Sequence, residues 1–201
     1  MFTGIIEAMG VVSKVRKEQT NVHFYVKSSI SMELKPDQSI SHDGVCLTVT
    51  AVEEHGHWVT AIDETIRKSN LGDWKPGVTV NLERCMLNNG RFDGHIVQGH
   101  VDQRGTIRKI IDNSGSWLFE IAYDETPGNV TVEKGSVAVN GVSLTCFNSG
   151  RSSFSVAVIP FTFEHTNFNA LQAGDTVNLE FDIIGKYVKR LLNLSRLPGS
   201  F

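Results

Sequence analysis

The chain repeats itself. Gly44-Val45-Cys46-Leu47-Thr48 recurs as Gly141-Val142-Ser143-Leu144-Thr145, and Thr79-Val80-Asn81-Leu82-Glu83 recurs as Thr176-Val177-Asn178-Leu179-Glu180, both at an offset of 97. Held without a gap from Ser39 to Glu83, that offset gives 15 identities in 45 positions, where residue usage alone gives roughly one in sixteen, about three in all. Gly4-Ile5-Ile6-Glu7 with Gly10 matches Gly99-His100-Val101-Asp102 with Gly105 at an offset of 95, so a net two-residue insertion separates the aligned stretches. Two copies of this length exclude a solenoid, whose units are shorter and bury nothing alone, and point to two domains that each close their own core. The boundary falls between Met86 and Gly94, where Asn88-Asn89-Gly90 reads as a turn. One domain is expected over 1–91, a second over 92–184, and a C-terminal segment over 185–201.

Within each copy the apolar residues recur every second position. Val22, Phe24 and Val26 alternate with polar neighbours, as do Val45, Leu47 and Val49 after the Asp43-Gly44 turn, which is the pattern of strands and hairpins. Short strands punctuated by signals such as Lys75-Pro76-Gly77 predict an all-β fold of antiparallel barrels, with a short helix near Glu64–Ser69 and its counterpart near Phe161–Thr166. A parallel βαβ fold lacks the long helices it needs. After Asp182 the spacing changes: Tyr187, Val188, Leu191, Leu192 and Leu194 share a helical face opposite Lys189 and Arg190. A helix this short is marginal alone, so its apolar face is expected to pack on the barrels or on another subunit.

Charge and composition remove several classes of function. Nineteen basic and 22 acidic residues give a formal charge of −3 without a basic stripe, which argues against nucleic acid and against a membrane surface as partners. No run approaches the roughly 20 apolar residues of a membrane span, and no signal-peptide pattern stands at Met1, so a cytoplasmic location is expected. Cys46, Cys85 and Cys146 are odd in number and widely spaced, as free thiols rather than a zinc or disulfide set.

Residues two apart on a strand share a face, so Cys46 points with Thr48, and Ser143 with Thr145. The repeat thus keeps one polar face twice but exchanges a thiol for a hydroxyl. His100 stands where the first copy has Ile5, which suggests a division of labour. His95 and His100 would lie about 17 Å apart on opposite faces of an extended strand, a poor spacing for one metal ion. Asp43-Gly44 and Asn140-Gly141 read as hairpin turns, and Glu83 and Glu180 as matching architectural residues. Asp182 lies two beyond Glu180, on the same strand face.

Met1-Phe2-Thr3-Gly4-Ile5-Ile6-Glu7, Gly44-Val45-Cys46-Leu47-Thr48-Val49-Thr50, Ser69-Asn70-Leu71-Gly72, the run from Gly94 to Val101 and Gly141-Val142-Ser143-Leu144-Thr145 occur in an order that resembles the riboflavin synthase family over nearly the whole chain. The resemblance implies two tandem six-stranded Greek-key barrels, a C-terminal helix that assembles a homotrimer, and no cofactor or metal. It implies dismutation of two molecules of 6,7-dimethyl-8-ribityllumazine by four-carbon transfer, giving riboflavin and 5-amino-6-(D-ribitylamino)uracil. Association with a lumazine synthase is left open.

Carried over by position, the first substrate lies against Gly4, Ile5 and Ile6, Cys46, Leu47 and Thr48, and Thr60, Ala61, Ile62, Asp63, Glu64 and Thr65. The second meets Gly99, His100 and Val101, Lys134, Ser143, Leu144 and Thr145, and Ala157, Val158, Ile159, Pro160, Phe161 and Thr162. Phe2 packs near the reacting rings. His100 is implied in proton transfer, Ser143 with Thr145 and Cys46 in orienting or supplying a nucleophile, and Asp182 as a further member. The chain departs from the family's pattern at Cys146-Phe147 and in the aromatic filling of Pro160–Glu164. Two other readings share the fold: an antenna protein that holds a lumazine or flavin without chemistry, and a flavin-binding reductase domain, which needs a nicotinamide-binding partner domain for which this chain has no room.

Overall fold

In the computed structural model, which describes residues 1–194, the period-two stretches are strands. The first copy gives β1 (Ala8–Glu18), β2 (Asn21–Lys27), β3 (Ser39–His42), β4 (Val45–Glu53), β5 (Gly56–Ala61) and β6 (Thr79–Arg84). The second gives β7 (Gln103–Asp112), β8 (Trp117–Tyr123), β9 (Ser136–Val139), β10 (Val142–Phe147), β11 (Ser153–Val158) and β12 (Thr176–Phe181). Each set closes into an antiparallel barrel, in the orders β1-β2-β5-β4-β3-β6 and β7-β8-β11-β10-β9-β12. Strands β3, β4 and β5 form a meander and β6 returns beside β3, which is a Greek key. Helices α1 (Asp63–Lys68) and α2 (Pro160–His165) begin one residue ahead of the stretches expected, and α3 (Ile183–Leu194) follows the second barrel. The part of the C-terminal segment over 195–201 lies outside the described residues.

Alternation puts Val12, Phe24, Val26, Leu47, Val49, Val59 and Leu82 inside the first barrel, and Ile107, Phe119, Ile121, Phe154, Val156 and Leu179 inside the second. The two main cores are separate, and a polar seam joins the barrels beside a small apolar cluster of Phe2, Val97 and Ala138. Asp43 and Gly44 (φ 46° and 80°) and Asn140 and Gly141 (φ 45° and 78°) are both in the left-handed region, the two-residue hairpin turn that strand twist favours. The tips meet back to back: a Cβ added to Gly44 would stand 2.8 Å from the Gly141 nitrogen, and one on Gly141 2.7 Å from that of Gly44.

Around these tips the side-chain amides of Asn81 and Asn178 cross the seam. Asn81 Nδ2 donates to the Asn140 carbonyl (3.0 Å) and Asn178 Nδ2 to the Asp43 carbonyl (2.9 Å). Asn167 N–H donates to Asn81 Oδ1 and Asn70 N–H to Asn178 Oδ1, both at 2.7 Å. These groups are buried, so leaving any one unpaired costs about 1–3 kcal/mol. Burial pushes the Asp43 carboxyl up to about 8, against the hydrogen bonds from Asn81 and Asn167. At neutral pH it is therefore largely uncharged, like its counterpart Asn140.

The first core carries a polar pair that the second lacks. His42 and His57 are fully buried, where the second copy has Val139 and Phe154. His42 Nδ1 donates to the Ile40 carbonyl (3.3 Å), His57 Nε2 donates to His42 Nε2 (2.9 Å), and the Ser31 hydroxyl donates to His57 Nδ1 (2.9 Å). This run of protons satisfies all four ring nitrogens only when both rings are neutral. Burial, with His57 alongside, holds His42 well below the usual histidine range, and burial takes His57 down to about 4.

The unfolded chain takes up these protons near pH 6.5 and the folded chain does not. The pair's contribution is therefore present above about pH 6.5 and is lost as pH falls toward 4, at up to about 1.4 kcal/mol per pH unit for each ring. The raised carboxyls of Asp43, Glu83 and Glu180 act in the opposite direction, so the effect is read as a difference between two chains. We expect the chain with His42→Val and His57→Phe to lose about 4 kcal/mol less stability between pH 7 and pH 5. Urea titration at both pH values checks this; equal losses would refute the buried neutral pair.

Candidate functional site

Phe2 and Val97, equivalent under the 95-residue offset, pair with each other in an isolated antiparallel bridge, with N–H to O distances of 2.7 and 3.1 Å. The pseudo-two-fold axis runs between them, and the segment after each crosses to the other barrel. The Gly4 carbonyl accepts from Ser143 N–H in the second barrel, and the Gly99 carbonyl from Cys46 N–H in the first, both at 2.8 Å. Contact is so close that a Cβ on Gly4 would stand 2.6 Å from Ser143 Cβ, and one on Gly99 2.5 Å from Cys46 Cβ; both glycines have φ near +80°. Farther along, Ile6 packs on the second core and Val101 on the first.

Each crossing segment is held by a carboxylate of its own barrel. Glu83 receives Thr3 N–H, the Thr3 hydroxyl and Gly4 N–H at 2.7, 2.8 and 2.9 Å. Glu180 receives the N–H groups of Gln98, Gly99 and His100 at 2.6, 2.9 and 2.9 Å. Burial raises both carboxyls, and these hydrogen bonds pull them back.

Opposite the crossing segments each barrel has a slit. The β4–β5 ladder starts only at Val49 and Val59, so Cys46–Thr48 pair with β3 alone and Thr60–Ala61 with β2 alone. In the second barrel the β10–β11 ladder covers only Cys146 with Val156 and Phe147 with Ser155, leaving Ser143–Thr145 across from Ala157–Val158. An antiparallel residue turns its N–H and C=O to the same side. Val49 N–H bonds toward Gln38 and Cys46 N–H turns away to Gly99, so the peptide groups of Thr48 face the slit, and by the same register those of Thr145 face theirs. Ile62, Ile159 and Phe161 stand on the rims 56%, 59% and 68% exposed. A narrow opening with peptide groups inside and apolar rims suits a flat heterocycle with amide edges.

The structure exchanges two of the groupings expected from sequence. Gly4, Ile5 and Ile6 lie by the second slit, with Ser143, and Gly99, His100 and Val101 by the first, with Cys46. His100 therefore does not join Ser143. Leu47, Ala61 and Val158 have side chains in the cores, so only their backbone can meet a ligand. Phe2 is fully buried with Val97, Ala138 and Cys46, behind the site rather than against a bound ring. Asp63 and Glu64 are exposed and engaged with Arg67 and Lys68. Thr60 Oγ1 is bonded to His23 Nδ1 (2.8 Å), Lys134 Nζ lies 5.8 Å from the Phe147 ring centre, and Asp182 Oδ1 accepts Ile184 N–H (2.9 Å) at the start of α3. Leu144 and Thr145 sit on β10, and Pro160 and Thr162 in the first turn of α2.

The partner of Ser143 is a residue that sequence reasoning passed over. His95 Nδ1 lies 2.6 Å from Ser143 Oγ, and the His95 backbone is pinned by its N–H to the Thr3 carbonyl (3.1 Å). His95 stands in the Gly94–Val101 run that carries the family resemblance, and its spacing to His100 reads only as a poor metal pair. Burial lowers the His95 pKa while the Asp182 carboxylate opposes the shift, so Ser143 faces a neutral imidazole. Burial raises the pKa of Cys46, the matching residue, against the pull of the Ser39 hydroxyl; it stays a thiol.

Comparison with known proteins agrees with the doubled site. A family model described as "Lumazine binding domain" matches twice, over residues 3–85 and 98–182. Riboflavin synthases of Actinobacillus pleuropneumoniae and Bacillus subtilis are 37% and 38% identical, each over 96% of this chain and 90% of their own length. That of Mycobacterium tuberculosis is 39% identical over 96% of this chain and 98% of its own. Among solved structures, LumP complexed with riboflavin superposes with a TM-score of 0.82 at 20% identity, covering 90% of this chain and 99% of that one. LumP complexed with 6,7-dimethyl-8-(1'-D-ribityl) lumazine gives 0.80 at 19%, with the same coverage. At such identity these two speak for the fold alone.

Gly99→Ala tests the crossing. A methyl group at a positive φ, driven against Cys46, is expected to cost about 2 kcal/mol or more. Denaturant titration reads it, and an unchanged midpoint would mean that the segment does not lie on Cys46.

Proposed function

The chain belongs to the riboflavin synthase family, and we propose that each of its two slits holds one molecule of 6,7-dimethyl-8-ribityllumazine. One lumazine gives a four-carbon unit to the other, which leaves as riboflavin; the donor leaves as 5-amino-6-(D-ribitylamino)uracil. The observation that carries this reading is the repeat of one peptide-lined slit in two barrels, with unlike side chains at Cys46 and Ser143. Two copies of one substrate require two like pockets, and making one a donor and the other an acceptor requires that the pockets differ.

Joining two bulky heterocycles has a large orientational barrier, so most of the acceleration is assigned to holding them face to face. In each slit the Thr48 or Thr145 peptide groups read the amide edge of the ring, and Ile62 or Ile159 lies along its face. Ser143 and Thr145 act on the lumazine of the second slit. Cys46 and the exposed His100 act on that of the first, with His100 handling a proton. Asp182 supplies negative charge near Ser143.

Both slits are open along exposed apolar rims, which favours a cover supplied by another subunit. Helix α3 supports this. Lys186 pairs with Asp102 (2.6 Å) and Lys189 bonds to the carbonyls of Pro127 and Gly128, so the basic face is tied down. Ile184, Tyr187, Val188 and Leu191 are turned outward, with Tyr187 67% exposed. We assign this face to a homotrimer in which the first barrel of one chain meets the second barrel of its neighbour. Three free cysteines suit a reducing cytoplasm. No helix among the described residues is long and apolar enough to cross a membrane.

Incubation with dimethylribityllumazine, followed by absorbance, is expected to yield riboflavin without added cofactor. Lumazine binding with no riboflavin would instead indicate a protein that holds the ligand without chemistry. Ser143→Ala should lower turnover by about 100-fold or more with lumazine affinity nearly unchanged. Truncation before Tyr187 should give monomers in sedimentation; a persisting trimer would remove α3 from the assembly.

A further inference from the structure

We propose that His95 is the positioning residue of Ser143, aligning its hydroxyl and taking its proton on Nδ1 when the serine oxygen bonds to the lumazine in the second slit. This rests on reading Ser143 as part of that slit.

The geometry is specific. At 2.6 Å the two groups share one proton, the His95 backbone N–H donates to the Thr3 carbonyl, and the residue is buried. Nε2 is buried too, and has no hydrogen-bond partner among the described residues. The ring therefore has one protein partner, the serine, and is not a strut in a wider network. Of the elements around it, the N-terminal segment offers the Thr3 carbonyl, β10 the Ser143 hydroxyl, and the residue after β12 the Asp182 carboxylate, whose charge favours the imidazolium. Cys46 has no such histidine, so only the second slit carries an activated oxygen.

The step balances within the site. The Oγ–C bond forms as the O–H bond breaks, the proton goes to Nδ1, and the electron pair displaced from the carbon's ring double bond runs into the conjugated carbonyl system. When serine departs, the pair returns and the proton goes back to Oγ.

The test uses the full chain with His95→Asn, which keeps a hydrogen-bonding atom near the Nδ1 position but cannot take a proton. Turnover is expected to fall about 100-fold, with lumazine affinity within threefold and the acid limb of the turnover profile gone. The double variant with Ser143→Ala should be no slower than Ser143→Ala alone. Turnover within threefold of the parent, an acid limb that persists, or losses that multiply would each overturn the assignment. If Ser143→Ala itself turns over normally, the reading of Ser143 fails; if Ser143→Ala is slow and His95→Asn normal, only the role of His95 fails. Should His95→Asn no longer bind lumazine, the imidazole 15N shifts of the unaltered protein decide: a proton-free Nδ1 at pH 7 supports the role, and a protonated Nδ1 overturns it.

Discussion

Two buried carboxylates carry the arrangement on which both slits depend. The crossing segments at Gly4 and Gly99 run outside any long ladder, so their N–H groups need acceptors that strands do not supply. Glu83 and Glu180 each gather three donors from a segment of their own barrel. The segment's remaining carbonyl is thereby free to take Ser143 or Cys46 N–H of the other barrel. Burial works against the ionised form and three donors work for it, a balance in which removing a donor weakens the whole clamp. The wall of each slit is thus held by a charge that belongs to the opposite barrel.

Much of the fold was legible because the relevant signals are local or repeated. Val22, Phe24 and Val26 announce a strand by alternation, Asp43-Gly44 a tight hairpin by turn chemistry, and the 97-residue offset extends both to the second copy. The exchange of Gly4–Ile6 with Gly99–Val101 was not legible. An offset says that two segments are equivalent and is silent on which barrel each serves; both answers have the same alignment. Phe2 was placed at the reacting rings by the family resemblance, whereas a fully apolar residue beside Val97 and Ala138 gains more from burial. His95 was missed for a related reason: its partner is 48 residues away and meets it only through the fold.

The copies agree in architecture and differ in chemistry. Asn81 and Asn178 repeat across the seam because a two-fold junction asks the same thing of both sides. Where no such demand exists the copies have parted. His42 and His57 fill with a neutral hydrogen-bonded pair the volume that Val139 and Phe154 fill with carbon, and Cys46 and Ser143 take up unlike partners. Asp43 is the intermediate case. Its position opposite Asn140 on the axis tolerates a carboxyl only because burial keeps the proton on it.

The reciprocal lending of leading residues has a consequence for how such a chain can arise. A single copy on its own would have a slit with one wall missing and a leading segment with nothing to cover, and both faults are cured at once by pairing with an identical molecule. The ancestor of one copy is therefore expected to have worked as a two-fold dimer with exchanged arms. Joining the two genes end to end raised the effective concentration of each arm at its receptor. It also released the halves from having to stay identical.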